Sequence, residues 1–334
     1  MSTRFYLLYL FFGLFLLATS CKKKDSAALD AKAPIDYAKK APKNFEALVI
    51  DSTSFEDEPA NLLFTLYKKN NFQTIWNSTI QRQNILNAIA SSTSEGMNPQ
   101  DYNLKKLSDK EGTIASANEK ERIEYDIELS AAAQKFLAHL SNGKLNPKNL
   151  YSDWEIKHNQ YDINSHLYNA IKGDSILEVV ANAAPQHQVY KSLQKALKIL
   201  ETFPDEKFAL IGKDHKIQLN DSLKDMITIK KKLIYWKDLQ ASEPLTKVYD
   251  TATHKALKRF QVRHGLSADG VIGRGTIAAL NETKEDRQNQ IIANMERWKW
   301  YRRSLGDYYI ILNIADYKLR VVKNNDTIDS RRIA

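Results

Sequence analysis

The sequence predicts a mainly α protein: a helical scaffold domain, a small three-helix module, and the first strands of an incomplete β domain. Three observations carry this. Apolar residues recur at helical spacing from Leu62 to Trp236. A compact stretch at 249–281 then alternates helical stripes with a glycine-bearing turn. Beyond Trp300 the apolar period changes from 3.6 to 2. At 334 residues the chain exceeds one small domain. With 43% hydrophobic and 27% charged residues it has a globular balance, and mean composition excludes a polytopic membrane protein. A single cysteine excludes a disulfide framework and any cysteine-built zinc or iron–sulfur site.

The N-terminus comes first. Residues 5–17 (FYLLYLFFGLFLL) carry no charge, and this run falls short of the roughly 20 residues a membrane span needs. Small residues Ala18, Thr19 and Ser20 follow, then Cys21. The pattern resembles a bacterial lipoprotein signal, with Ala18 standing where such signals most often have leucine. The resemblance implies that residues 1–21 are signal and lipidation site, that Cys21 carries the lipid, and that the chain faces the periplasm from a membrane anchor. Ordinary secretory cleavage is the alternative. Residues 22–44, rich in Ala, Lys and Pro, read as a tether. The net charge is +9, with 17 basic against 11 acidic side chains from Ser242 onward. Such a field suits an anionic partner or a solubilising surface. Export removes nucleic acid and leaves wall or lipid polyanions.

Along residues 45–241 the stripes are read as core. Leu62, Leu63, Leu66 and Tyr67 share one face; Leu86, Ile89 and Ala90 suggest a second short helix. Leu129, Ala132, Ala133, Phe136, Leu137 and Leu140 form the clearest stripe, which Gly143 stops ahead of Pro147. Val189, Leu193, Leu197 and Leu200 form another, ending near Pro204. Met226, Ile229, Leu233 and Trp236 lie in the first helix of the small module, expected near 222–239. At 242–283, Asp250 caps a helix lined by Ala256, Leu257, Phe260 and His264; a turn follows, and Thr276, Ile277 and Leu280 restart the spacing. Glycines 265, 270 and 273 are expected at positive φ. Residues 284–334 hold a linker helix, strands at 308–314 and 318–322, a turn at 324–326 and a strand from Thr327.

Residues 249–281, YDTATHKALKRFQVRHGLSADGVIGRGTIAALN, resemble the three-helix peptidoglycan-binding module of wall enzymes. The likeness rests on Phe260-Gln261, His264-Gly265-Leu266, the run from Asp269 to Gly273 and Ala278-Ala279-Leu280-Asn281. It departs at Arg274-Gly275. Upstream, Leu66-Tyr67, Trp76, Gly96-Met97-Asn98-Pro99 with Asp101-Tyr102, and Gly143-Lys144-Leu145-Asn146-Pro147 resemble the helical scaffold of large periplasmic L,D-transpeptidases. Downstream, 294–300 and 309–314 look like that family's lead-in to its catalytic β domain.

The resemblance implies a cysteine thiolate that attacks a donor peptide stem, and a histidine that holds it deprotonated. The family's Ser-His-Gly-Cys cluster has no counterpart in residues 22–334, which contain no cysteine, so no catalytic residue is assigned. His264-Gly265 belongs to the module's helix end. The seven histidines show no metal-ligand spacing, and neither cofactor nor metal is called for. Lys258, Arg263, Asp269 and Arg274 are the candidate contacts to wall peptidoglycan. Trp298 and Trp300 could stack on sugars, but their basic segment reads better as an anchor to the scaffold. Three functions stay open: a peptidoglycan-binding scaffold portion without its catalytic domain, a fragment of a complete L,D-transpeptidase, and a non-enzymatic lipoprotein tether. Protein partners are not indicated.

Overall fold

The computed structural model describes residues 44–55, 62–156, 161–212, 216–241, 244–313, 317–324 and 326–333. The expected signal with Cys21, and all of the tether except Asn44, lie outside the described residues. Among the described residues the protein is mainly helical, with a small antiparallel sheet at the end. No described helix is long and apolar enough to cross a membrane.

The first core forms around α4 (Glu119–Asn142). A capping box starts this helix: Asn118 Oδ1 accepts from Glu121 N, and the Glu121 carboxylate accepts from Asn118 N, both at 3.0 Å. The stripe from Leu129 to Leu140 is buried as the spacing predicts. Packed around it are α1 (Leu62–Lys69), α2 (Thr79–Ala90), α3 (Leu104–Thr113), α5 (Ile163–Lys172) and α6 (Ile176–Ala183). The last two and α3 were not legible as stripes.

Two polar centres fix this core. Asp126 accepts from Trp76 N at 2.7 Å, Ile75 N at 3.0 Å and the Tyr67 hydroxyl at 2.6 Å, holding the loop between α1 and α2. Burial pushes its carboxyl up to about 6, against the pull of these donors. Nearby, Arg82 Nε donates to Glu111 at 2.9 Å, Nη1 to the Trp76 carbonyl and Nη2 to Thr79, while the Tyr125 hydroxyl donates to Glu111. Residues 44–50 lie antiparallel to this loop through Phe45 N to Asn77 O, Thr74 N to Leu48 O and Ile50 N to Phe72 O. The Phe45 ring is held between two guanidinium groups, Arg82 at 4.6 Å and Arg122 at 4.1 Å from its centroid.

A second core joins α8 (Met226–Tyr235), α9 (Thr251–Arg263) and α10 (Arg274–Asn281) around Leu233, Leu257, Phe260 and Ile277. These are the three helices of the small module. Gly265 and Gly270 have the expected positive φ, at 69° and 74°. Gly273 does not: it precedes α10 as its N-cap with φ −98° and ψ −176°, so the turn is complete by Gly270 and the chain is already extended there.

α7 (Gln188–Glu201) and α11 (Lys284–Lys299) pack together through Tyr190, Leu197 and Met295. α11 follows the module directly and lies against the scaffold. Lys299, 1% exposed, donates to the Glu95 carbonyl at 3.0 Å, and the Glu95 carboxylate accepts from Tyr190 and Gln194. At Gly143 the contact closes: Glu296 Oε1 accepts from Leu145 N at 2.8 Å and Trp300 Nε1 at 3.2 Å. Trp300 is 3% exposed, so its expected anchoring role is met by burial.

The sheet orders β1 (Tyr308–Asn313), β2 (Lys318–Lys323) and β3 (Asp326–Arg332), each antiparallel to its neighbour. β3 begins one residue before the expected Thr327, because Asp326 pairs with Lys323. A register shift falls between Val321 and Val322.

Candidate functional site

The small module is built inward from two polar ties. Lys230 on α8, almost fully buried, donates to Asp250 at 2.5 Å, and Asp250 also caps α9 by accepting from Thr253 N at 2.8 Å. One carboxylate thus locks both helices. The turn after α9 is wound on Gln261. Its Nε2 donates to Asp269 Oδ1 and the Val271 carbonyl, both at 3.0 Å, and its Oε1 accepts from Gly270 N at 2.9 Å. A side chain at Gly270 would run into the His254 ring, and Tyr249 bonds the Gly270 carbonyl at 2.7 Å. This explains the glycine there beyond its φ.

The four candidate wall contacts fall in different settings. Lys258 is exposed on α9. Arg263 pairs with Asp238 and stacks its guanidinium over Phe260 at 5.8 Å. Asp269 accepts from Gln261 and Val271 N, and these bonds hold its carboxyl below the usual range. Arg274, the first residue of α10, is exposed and paired with no side chain among the described residues. Arg274 alone of the four lines a surface depression, with Ala278, Asn281, Glu282, Asp286 and Gln290. Sequence reading missed these companions, since nothing in their spacing marks them apart from a solvated face.

The rim of this depression is bipolar. Arg274 stands at the start of α10, while Glu282 at that helix's C-terminal cap and Asp286 in the first turn of α11 supply carboxylates. Asp286 is committed to the α11 capping box with Thr283, and Glu282 to Arg287 at 2.5 Å. Asn281 holds the floor, accepting from Ile211 N and Lys232 Nζ at 3.0 Å each. Burial lowers the Lys232 pKa.

His264 marks the module's acid sensitivity. Its ring lies 4.0 Å from the Phe260 centroid, and its buried Nε2 meets no partner among the described residues. Burial, with Arg287 and Arg263 beside it, holds its pKa down to about 3. The unfolded chain, near 6.5, therefore takes up the proton first. The stabilisation is full above pH 6.5 and is lost as pH falls toward 3. Urea midpoints should drop between pH 7 and 4, and His264→Phe should flatten that slope; an unchanged slope would refute the assignment.

Compared with protein-family models, residues 61–197 match the Scaffold domain and residues 222–280 match the peptidoglycan binding domain. No match is found among curated proteins. The second match begins ahead of α8 and ends within α10, so it spans the three helices described above. The first spans α1 to most of α7. Residues 61–197 therefore belong to the Scaffold domain family and residues 222–280 to the peptidoglycan binding domain family, in the order that the sequence motifs imply.

Proposed function

We propose that this protein is a lipid-anchored component of the bacterial cell envelope that grips peptidoglycan with residues 222–280 and presents it to the β strands through α11. The observation that carries the reading is the match of that module to a peptidoglycan-binding domain, together with the exposed Arg274 on its bipolar depression. Peptide stems of peptidoglycan carry both carboxylates and amines, which suit such a rim. Arg274 and Lys258 contact the stems directly; Arg263 and Asp269 shape the turn that positions them. The anchor is the lipid on Cys21, and the chain faces the periplasm.

Sedimentation with isolated sacculi tests the grip. The chain should pellet with sacculi, less so as salt screens the exposed charges. Arg274→Glu should weaken binding about tenfold, the scale of losing a charge-assisted hydrogen bond. A chain that stays in the supernatant at low salt would end this reading.

A second reading is that these parts serve a cysteine-dependent L,D-transpeptidase whose nucleophile lies outside residues 22–334. The sheet favours it: on β1, Tyr308, Ile310 and Leu312 remain 63%, 60% and 53% exposed, an apolar row suited to further β structure. The intact mass of the protein isolated from its own cells separates the readings and reports the lipid in the same measurement.

A further inference from the structure

Apart from the module, the scaffold, the end of α11 and Tyr301 just beyond it together carry a chain of partly exposed aromatic rings. Tyr151 and Trp154 have centroids 6.2 Å apart; Trp154 reaches Tyr301 at 5.7 Å, Tyr301 reaches Trp298 at 5.2 Å, and Trp298 reaches His187 at 5.1 Å. Behind them Trp300 is buried and meets Trp154 edge-on at 84°. The rings are held by packing rather than free to turn. His187 Nε2 donates to the Arg302 carbonyl at 2.8 Å, and burial lowers its pKa, which leaves a neutral ring against Trp298.

We infer that this row of rings is a second binding surface, and that its ligand is the glycan strand of peptidoglycan. The inference rests on the reading that the protein binds peptidoglycan. The rings offer flat, electron-rich faces that attract the polarised C–H faces of pyranose rings. Around them stand exposed groups of both signs, Asp153 and Glu155 beside Trp154 and Arg297 and Arg302 beside the others, which can hydrogen-bond sugar hydroxyls and acetamido groups. A sugar polymer has the matching design, with apolar faces and polar edges.

Position supplies the second argument. Asp286 lines the module's depression, and Trp298 belongs to the row of rings; both lie on α11. Twelve residues separate them, about 18 Å along a helix rising 1.5 Å per residue. One rigid element therefore carries a stem-facing grip and a strand-facing grip. A polymer that engages both gains effective concentration at the second contact.

The test uses the chain as it stands and two probes: glycan strands freed of their stems by an amidase, and isolated stem peptides. Tryptophan fluorescence reports strand binding at the rings. Tyr151→Ala and, separately, Trp154→Leu, measured where each variant is fully folded, should weaken strand binding about tenfold while leaving stem-peptide binding in place. Arg274→Glu should do the reverse. If the wild type pellets with sacculi but ignores stem-free strands, or if neither ring variant weakens strand binding, the second surface is refuted and the wall-binding reading stands. If sacculi, strands and stems all fail to bind, both fall.

Discussion

Gly143→Ala should destabilise the protein by about 2–4 kcal/mol, from left-handed backbone strain plus overpacking. The residue has φ 83° and ψ 162°, a region open essentially to glycine alone. A methyl built there would lie 2.6 Å from both Glu296 Oε1 and Trp300 Nε1. Neither neighbour can yield cheaply. Glu296 is held by its bonds to Leu145 N and Trp300, and Trp300 is buried among Tyr151 and Trp154. The expected signature is a lower urea midpoint with a change in tryptophan emission, as the end of α11 is pushed off the scaffold. Gly112→Ala is the control. It lies in α3 with nothing within 4 Å, and there alanine should stabilise by about 0.5–1 kcal/mol. Equal effects at the two glycines would remove the argument.

Glu111→Gln should cost about 3–5 kcal/mol, the usual penalty for leaving one member of a buried ion pair unmatched. The side chains of Arg82 and Glu111 are 2% and 4% exposed, and the guanidinium also holds the Trp76 carbonyl and Thr79. The paired substitution Arg82→Met with Glu111→Leu should recover much of the loss, because it withdraws both charges from the interior. Chemical denaturation of the three variants decides it. A double variant as unstable as the single one would show that the bonds to Trp76 and Thr79, rather than the charge, are what matter.

Much of this architecture is legible in residue spacing, where burial and local geometry agree. The stripes of α4, α8 and α9 are core because their members face the neighbouring helices, whereas on α7 Leu197 and Leu200 are buried but Val189 and Leu193 are only half-buried. α5 and α6 escape notice because Asn164, Ser165 and His166 interrupt one, while the other is apolar nearly all round, with Leu177 57% exposed beside buried Ile176, so no single face stands out. Gly143 reads as a helix stop, yet its stricter requirement comes from Glu296 and Trp300, more than 150 residues away in sequence. Gly273 reads as a left-handed position because glycines 265 and 270 are such, although an N-cap glycine needs no positive φ. At the wall module, charge alone does not reveal that Arg263 and Asp269 have internal partners while Arg274 meets none among the described residues. That distinction depends on Asp238 and Gln261, whose approach is tertiary.

The way residues 44–50 join the fold sets how the molecule would answer a pull on the chain ahead of Asn44. The antiparallel pairing with 72–77 starts at Phe45, so tension there peels the contacts one at a time instead of loading them together. After the bond from Thr79 N to Asn44 Oδ1 at 3.4 Å, the next contact in line is the Phe45 ring between Arg82 and Arg122, with Arg122 also bonded to the Glu46 carbonyl at 3.2 Å. Arg82 is itself fastened inside the core by Glu111. Force arriving at Asn44 is therefore passed through a cation–aromatic clasp into the buried ion pair before any hydrogen bond beyond Phe45 opens.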